Sequence, residues 1–257
     1  MGKLQLEHLE ISHHVWNAEP EETRYAVLLL GHIFNEVMTL QKLAIVSIPH
    51  PSDPETPEKI GRVSRALFLS RMLSGKVHEA KERINKPEIN TFLRERCYPH
   101  MPDGKGERLK RTFNKMIGDC KWLAAARNEH AMHYPSLIDL RPAMEQMKAS
   151  STSYVFYRNR VAGNYLYQTS AEVAIHAYHM ESEDEWAEAV RKMTDTVNAL
   201  SAALVEFIVE NLNAYLGNLY RMHKDTQAKI EEAAPFDVPP IRGFDLPYFY
   251  TTDDPST

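Results

Sequence analysis

The sequence predicts an all-α fold, an antiparallel helical bundle with one unusually long helix near its carboxyl end. Apolar residues recur every three or four positions through most of the chain, which is typical of helices with one buried face. The chain contains no internal repeat and no glycine-rich phosphate loop. Its 257 residues, 43% of them hydrophobic, can bury a substantial core. We therefore predict one helical domain over residues 1–257.

Residues 19–150 contain the helices predicted for the first half of the chain. Residues 1–18 form a short segment that is rich in histidine and has no clear hydrophobic period, so we predict an extended lead-in. Pro20 suits a helical first turn, and Thr56 followed by Pro57 is a typical N-cap and first helical residue. The predicted helices span residues 20–48, 56–85, 88–97 and 107–133, followed after Pro135 by a weaker one over 137–148.

The second half of the chain starts with two aromatic runs in residues 151–170 that flank a glycine. They predict a small β-hairpin or an irregular connector. Residues 182–232 then predict a long helix, opened by a capping box of Ser182 and Glu185. Its apolar face includes Met193, Val197, Leu200, Leu204, Phe207, Asn211, Tyr215 and Leu219. So long a helix must kink or pack against a partner chain, which favours a homodimer. The last segment, residues 233–257, is rich in proline and is predicted to be extended.

Composition restricts the class of protein. A net charge of −5 argues against a protein that coats nucleic acid non-specifically, although it leaves room for a local site. The two cysteines, Cys97 and Cys120, fit neither a disulfide framework nor a zinc knuckle. The amino terminus lacks the pattern of a signal peptide, and no uncharged apolar run has the length of a membrane span. We therefore predict a cytoplasmic protein with no membrane contact and no cofactor.

The segment from Arg127 to Tyr134 places charged and titratable side chains where a helix should bury hydrocarbon. Its arginine continues an apolar stripe formed by Leu109, Phe113, Met116, Cys120 and Leu123. A charge on such a stripe needs a carboxylate, a solvent-filled cleft or another chain. Glu36, on the first helix, is a candidate carboxylate. On the structural interpretation, Arg127 has its polar partners within the fold and lies near the end of a helix that Pro135 terminates.

This segment resembles the motif of the HEPN superfamily, small all-helical domains of which many are metal-independent ribonucleases. In that motif an arginine is followed by a polar residue and, after four to six further residues, by a histidine. Arg127, Asn128 and His133 match it, and the stretch ARNEHAMHYP is similar to a subgroup that reads Arg-Asn-x-x-Ala-aromatic-His-Tyr, with Met132 at the aromatic position. The resemblance covers about ten residues.

The resemblance implies an endoribonuclease of the toxin or defence type, in which two motif helices share a cleft at a dimer interface. Histidine suits proton transfer and arginine suits a developing phosphorane charge, so His133 and Arg127 supply both chemistries. Asn128 would orient the phosphate or the histidine. We add four candidate binding residues near the motif: Lys121, Glu129, His130 and Tyr134.

Other interpretations of the segment remain open. His130 and His133 could face one metal ion, but no third ligand is identified. Family toxins silenced by nucleotide transfer carry a tyrosine two positions after the histidine, whereas here Tyr134 follows His133 directly and Pro135 takes that position, so we do not expect this route of silencing. A cognate antitoxin stays a candidate partner. Residues Lys105 to Lys121, with Arg108, Lys110, Arg111 and Lys115, form either a solvated helix face or a phosphate-guiding ridge. The alternative function is a non-catalytic helical scaffold for dimerisation or for RNA or protein binding.

Overall fold

The chain is mostly α-helical, which confirms the all-α class. The computed structural model describes residues 2–50, 52–125, 136–150, 154–158, 164–179, 186–224, 227–241, 244 and 246–249. The helices of these residues are α1 (His13–Ala18), α2 (Glu21–Ser47), α3 (Pro57–Ile84), α4 (Pro87–Phe92), α5 (Lys105–Asp119), α6 (Trp122–Ala125), α7 (Leu137–Ser150), α8 (Gln168–His179) and α9 (Trp186–His223). The strands are β1 (Gly2–Leu4), β2 (Glu7–Ile11), β3 (Ala228–Glu232) and β4 (Phe236–Val238).

The chain divides into two compact units, and α2, α3 and α9 each contribute to both. The first unit comprises Met1–Thr39, Lys76–Lys121 and Ala199–Gly243. The second comprises Leu40–Gly75, Trp122–Asn198 and Phe244–Thr257. A single domain over the whole chain stays a prediction.

The ends of the first unit differ from the sequence prediction. The lead-in is extended only as far as Ile11, and His13–Ala18 form α1, capped by the Ser12 hydroxyl. The long helix ends at His223 instead of residue 232. Residues 228–232 form β3 because they pair antiparallel with β2, and β1 pairs in the same way with β4. Such long-range pairing leaves no local pattern in the sequence.

The core of the first unit confirms the predicted face of α9. The side chains from Leu200 to Leu219 at helical spacing are at most 4% exposed, including the polar Asn211, whose amide donates to the Phe207 carbonyl. Phe207 also stacks on the fully buried Phe113 of α5, with ring centroids 6.4 Å apart. The predicted residues Ser182 and Glu185 lie outside the described residues.

The predicted starts and spans of the early helices are confirmed. Thr56 caps α3, since its hydroxyl accepts a hydrogen bond from the Lys59 amide at 3.2 Å. Helix α4 continues into one turn of π-helix over Leu93–Cys97, so the helical segment predicted for residues 88–97 is present. Gly104 then precedes α5 with a φ of 65°, a conformation that favours glycine.

We predicted one continuous motif helix over residues 107–133, and this prediction is wrong. Helix α5 ends at Asp119, and Cys120 leaves the helical conformation with φ −99° and ψ 77° before α6 begins at Trp122. Gly118, Asp119 and Cys120 all have low helix propensity, which explains a weak point here. Phe113, Cys120 and Leu123 are buried as predicted. The apolar stripe cannot, however, be extended to Arg127 at a constant angle per residue.

In the second unit, α3 holds the carboxyl-terminal segment Leu246–Phe249. The Glu58 carboxylate accepts the backbone amides of Tyr248 and Phe249 at 2.6 and 2.9 Å. Arg65 donates to the carbonyls of Leu246 and Pro247. Gly61 lies between Glu58 and Arg65 on α3, and a Cβ there would be 2.5 Å from the Tyr248 ring. Two side chains of one helix therefore bind backbone amides and backbone carbonyls of this segment.

One helix of the described residues, Arg191–His223 within α9, is long and apolar enough to cross a membrane by length and composition. Core helices can have the same composition. Its residues at helical spacing, from Met193 to Leu219, are buried in the protein. The most apolar stretch of this helix is 39% buried, and the cytoplasmic location stays a prediction.

Candidate functional site

The predicted catalytic motif lies outside the described residues. This applies to Arg127, Asn128, Glu129, His130, His133 and Tyr134. Of the predicted site residues, Lys121 is described. It is exposed in the turn between α5 and α6. The described neighbours of the motif along the chain are α6, which ends at Ala125, and α7, which begins at Leu137.

Helix α5 presents a cationic face to solvent. Arg108, Arg111 and Lys115 are exposed and follow one another at spacings of three and four residues, which places them on one side of the helix. Arg108 donates to the Asp103 carbonyl at 2.8 Å, and this bond leaves its charge in place. Among the described residues, no carboxylate pairs with any of the three. We call Arg108, Arg111 and Lys115 the α5 cationic face.

The other two lysines of this helix do not belong to the face. Lys105 forms an ion pair with Glu210 at 2.7 Å. Lys110 donates to the Asn90 side chain, and partial burial lowers its pKa. The ridge predicted from the sequence is therefore narrower than the run of basic residues suggested, because two of its members are used within the first unit.

A groove of about 290 Å³ lies between α2 and the end of α3 in the first unit. Its polar lining includes His32, Glu36 and Lys76. The Lys76 ammonium is 3.1 Å from Glu36 and 3.7 Å from Glu79, while His32 is 3.7 Å from Glu36. The Glu36 carboxylate, predicted as a partner for Arg127, is thus engaged by two other side chains. These mutual ion pairs leave the groove little net charge for an ionic ligand.

A second cavity of the first unit, about 370 Å³, has an acidic lining. Glu22, Glu88 and Glu95 contribute carboxylates, with Arg96 as the cation. Phe92 forms part of the wall and packs edge-on against Tyr215, with ring centroids 5.2 Å apart. Burial, together with the nearby negative charge of Glu19, raises the pKa of Tyr215. The surplus of carboxylates makes this cavity unsuitable for a phosphate.

Within the described ranges, no group of three or more histidine, cysteine, aspartate or glutamate side chains is arranged to hold a metal ion. His130 and His133 are outside those ranges, and a metal ion between them stays a prediction. The chain matches no protein-family model, and searches of curated proteins and of solved structures find no significant match.

Proposed function

We propose that this chain is a metal-independent endoribonuclease of the HEPN type, active as a homodimer and serving in a toxin or defence role. The observation that carries the proposal is the motif itself, Arg127-Asn128 followed by His133. The helical character of the chain on both sides of the motif supports it. So does the α5 cationic face, because RNA is a polyanion and an exposed cation without a carboxylate partner can contact a phosphate.

The proposed reaction is an internal transfer at the RNA phosphate. The His133 imidazole takes the proton of a ribose 2′-hydroxyl, and the 2′-oxygen attacks the adjacent phosphorus. The bond from phosphorus to the 5′-oxygen breaks, and an imidazolium gives that oxygen a proton. In a homodimer the second copy of the motif supplies this acid. Arg127 stabilises the extra negative charge of the phosphorane, and Asn128 orients the phosphate. The products carry 2′,3′-cyclic phosphate and 5′-hydroxyl ends.

Cleavage of a mixed RNA pool in EDTA tests the proposal. We expect cyclic phosphate ends, loss of activity in His133→Ala with an unchanged melting temperature, and severe impairment in Arg127→Lys, since an ammonium cannot grip a phosphate in two places. The matched controls are His100→Ala and Arg94→Lys, which alter exposed residues far from the motif in sequence and should retain activity. Light scattering should give the mass of a dimer.

Three results would contradict the proposal. Activity that is lost in EDTA and restored by a divalent ion would favour the metal interpretation of His130 and His133. A monomer at every concentration would remove the shared cleft. Absence of cleavage, together with a loss of about 3 kcal/mol or more of unfolding free energy in Arg127→Ala, would favour the helical scaffold, in which the arginine neutralises a buried carboxylate.

A further inference from the structure

Two short segments of the second unit present aromatic side chains on one face. Residues 154–158 and 164–167 pair antiparallel through a bridge between Tyr157 and Leu166, with hydrogen bonds of 2.8 and 2.9 Å in both directions. Since side chains alternate in extended chain, Leu166 points inward and is 4% exposed. The residues on the other side share the outer face: Tyr154, Phe156, Arg158, Tyr165 and Tyr167. We call these five residues the aromatic face.

The rings of the aromatic face form a continuous series. Phe156 and Tyr167 stack across the two segments with centroids 6.2 Å apart and an angle of 21° between their planes. Tyr154 lies 6.4 Å from Phe156, and Tyr165 lies 6.5 Å from Tyr167. The Arg158 guanidinium is placed over the Phe156 ring at 6.0 Å. The outcome is a row of four aromatic rings, with a cation over its second ring, Phe156.

Hydrogen bonds hold this face in place before any ligand arrives. The Tyr154 hydroxyl is 2.7 Å from the Ser170 hydroxyl, and the Val155 amide donates to Thr169 Oγ1 at 2.7 Å. The Tyr165 carbonyl is bound by the Tyr248 hydroxyl at 3.5 Å. A rigid platform loses less conformational entropy on binding than a mobile one, so its contacts are converted into affinity more fully.

The face is open to solvent and locally positive. Tyr154, Phe156 and Tyr167 are 58%, 47% and 54% exposed, although rings of this size usually bury most of their surface. In the sequence, residues 151–170 contain Arg158 and Arg160 and no acidic residue, within a chain of net charge −5. An exposed aromatic face with the Arg158 cation beside it complements a ligand that has flat π-surfaces and negative charge.

We propose that the aromatic face binds the unpaired bases of single-stranded RNA, with Phe156 and Tyr167 stacking on bases and Arg158 contacting a phosphate or a base plane. The inference deepens the proposed function and rests on it for the choice of RNA. Bases in a duplex are already stacked on one another, so an aromatic platform selects loops and single strands. The nuclease would accordingly act on unpaired RNA.

Fluorescence anisotropy with a labelled single-stranded RNA of about 12 nucleotides tests this, using full-length protein carrying His133→Ala to prevent cleavage. In that background, Phe156→Ala and Tyr167→Ala should each weaken binding about 5- to 150-fold, the usual effect of removing a ring that stacks on a base. Phe156→Trp and Tyr167→Phe should restore it. The matched control is Phe68→Ala: Phe68 is 50% exposed and has the Arg71 guanidinium 5.5 Å from its ring, but it belongs to α3.

The outcomes separate this inference from the proposed nuclease. If wild-type protein cleaves RNA in EDTA but the alanine variants bind RNA as tightly as their parent, the aromatic face is not an RNA site and the inference is overturned. If wild-type protein does not cleave RNA but binding depends on Phe156 and Tyr167, the nuclease proposal fails and this one stands. Equal weakening by Phe68→Ala, or no binding of single-stranded RNA at all, also overturns it. So does a change of mass in Phe156→Ala with RNA binding intact, because the face would then contact protein.

Discussion

Removing the charges of the α5 cationic face should change the salt dependence of RNA binding in a calculable way. The perturbation is the triple substitution Arg108→Gln, Arg111→Gln and Lys115→Gln, which removes the charges but keeps long polar side chains. All three residues are exposed, and no described carboxylate is within ion-pair distance of them. Each phosphate contact to a single strand contributes about 0.7 to the slope of log K against log salt. Three contacts therefore contribute a slope of about 2.

The expected loss of affinity follows from that slope. If binding at 1 M salt is unchanged, a slope smaller by about 2 corresponds to binding about 100-fold weaker at 0.1 M salt. Asp119 lies near the same side at the end of α5, and its charge opposes one of the three cations. Asp119→Asn should move the slope in the opposite direction by about 0.7.

The assay is anisotropy with single-stranded RNA in the His133→Ala background over a series of salt concentrations. The matched control replaces Lys3, Lys42 and Arg221, which are exposed residues of β1, α2 and α9, with glutamine. Both triple variants lose three positive charges from the same net charge of −5. Equal slopes for the two would show that only net charge matters and would refute the local face. An unchanged slope in the α5 variant would refute it as well.

Two further predictions concern the packing around α3 and the buried thiol. Gly61→Ala should displace Leu246–Phe249 from α3 and speed chymotryptic cleavage after Tyr248. The control is Gly31→Ala, where an added Cβ meets nothing within 4 Å and the cleavage rate should not change. Equal protection in both variants would contradict the packing of this segment on α3. Burial raises the pKa of Cys97 to about 12, so its thiol should resist iodoacetamide at pH 8 in folded protein and react after denaturation, and rapid labelling of the native protein would argue against the burial.

Patterns that are local in the sequence predicted their structures well. Thr56 with Pro57 marked the start of α3, and the helical spacing from Leu200 to Leu219 identified the buried face of α9. Both depend on residues within a few turns of one another. The strand pairing of β2 with β3 joins residues more than two hundred positions apart, and neither segment alternates clearly. No local feature of the sequence distinguishes β2 from an unpaired extended lead-in, or β3 from the last turns of a helix.

The prediction for the site was limited by the break at Cys120. We placed Arg127 on the apolar stripe by counting about 100° per residue from Leu109, which holds only while the helix continues. Because α5 ends at Asp119, the count loses its reference after that residue. The role proposed for Arg127 then rests on the motif and its chemistry. The basic run also required correction, since ion pairing of Lys105 and burial of Lys110 depend on tertiary neighbours.

The two proposed RNA contacts are of different physical kinds, so salt titrations can measure them separately. The α5 cationic face acts through counterion release, which changes the slope of log K against log salt. Stacking on Phe156 and Tyr167 releases no counterions, so their removal should lower log K by the same amount at every salt concentration. In a protein that attracts RNA only through scattered surface charge, substitutions would change only the slope of log K against log salt. A parallel shift caused by the loss of one exposed ring therefore indicates that the chain recognises the bases of its RNA as well as the backbone.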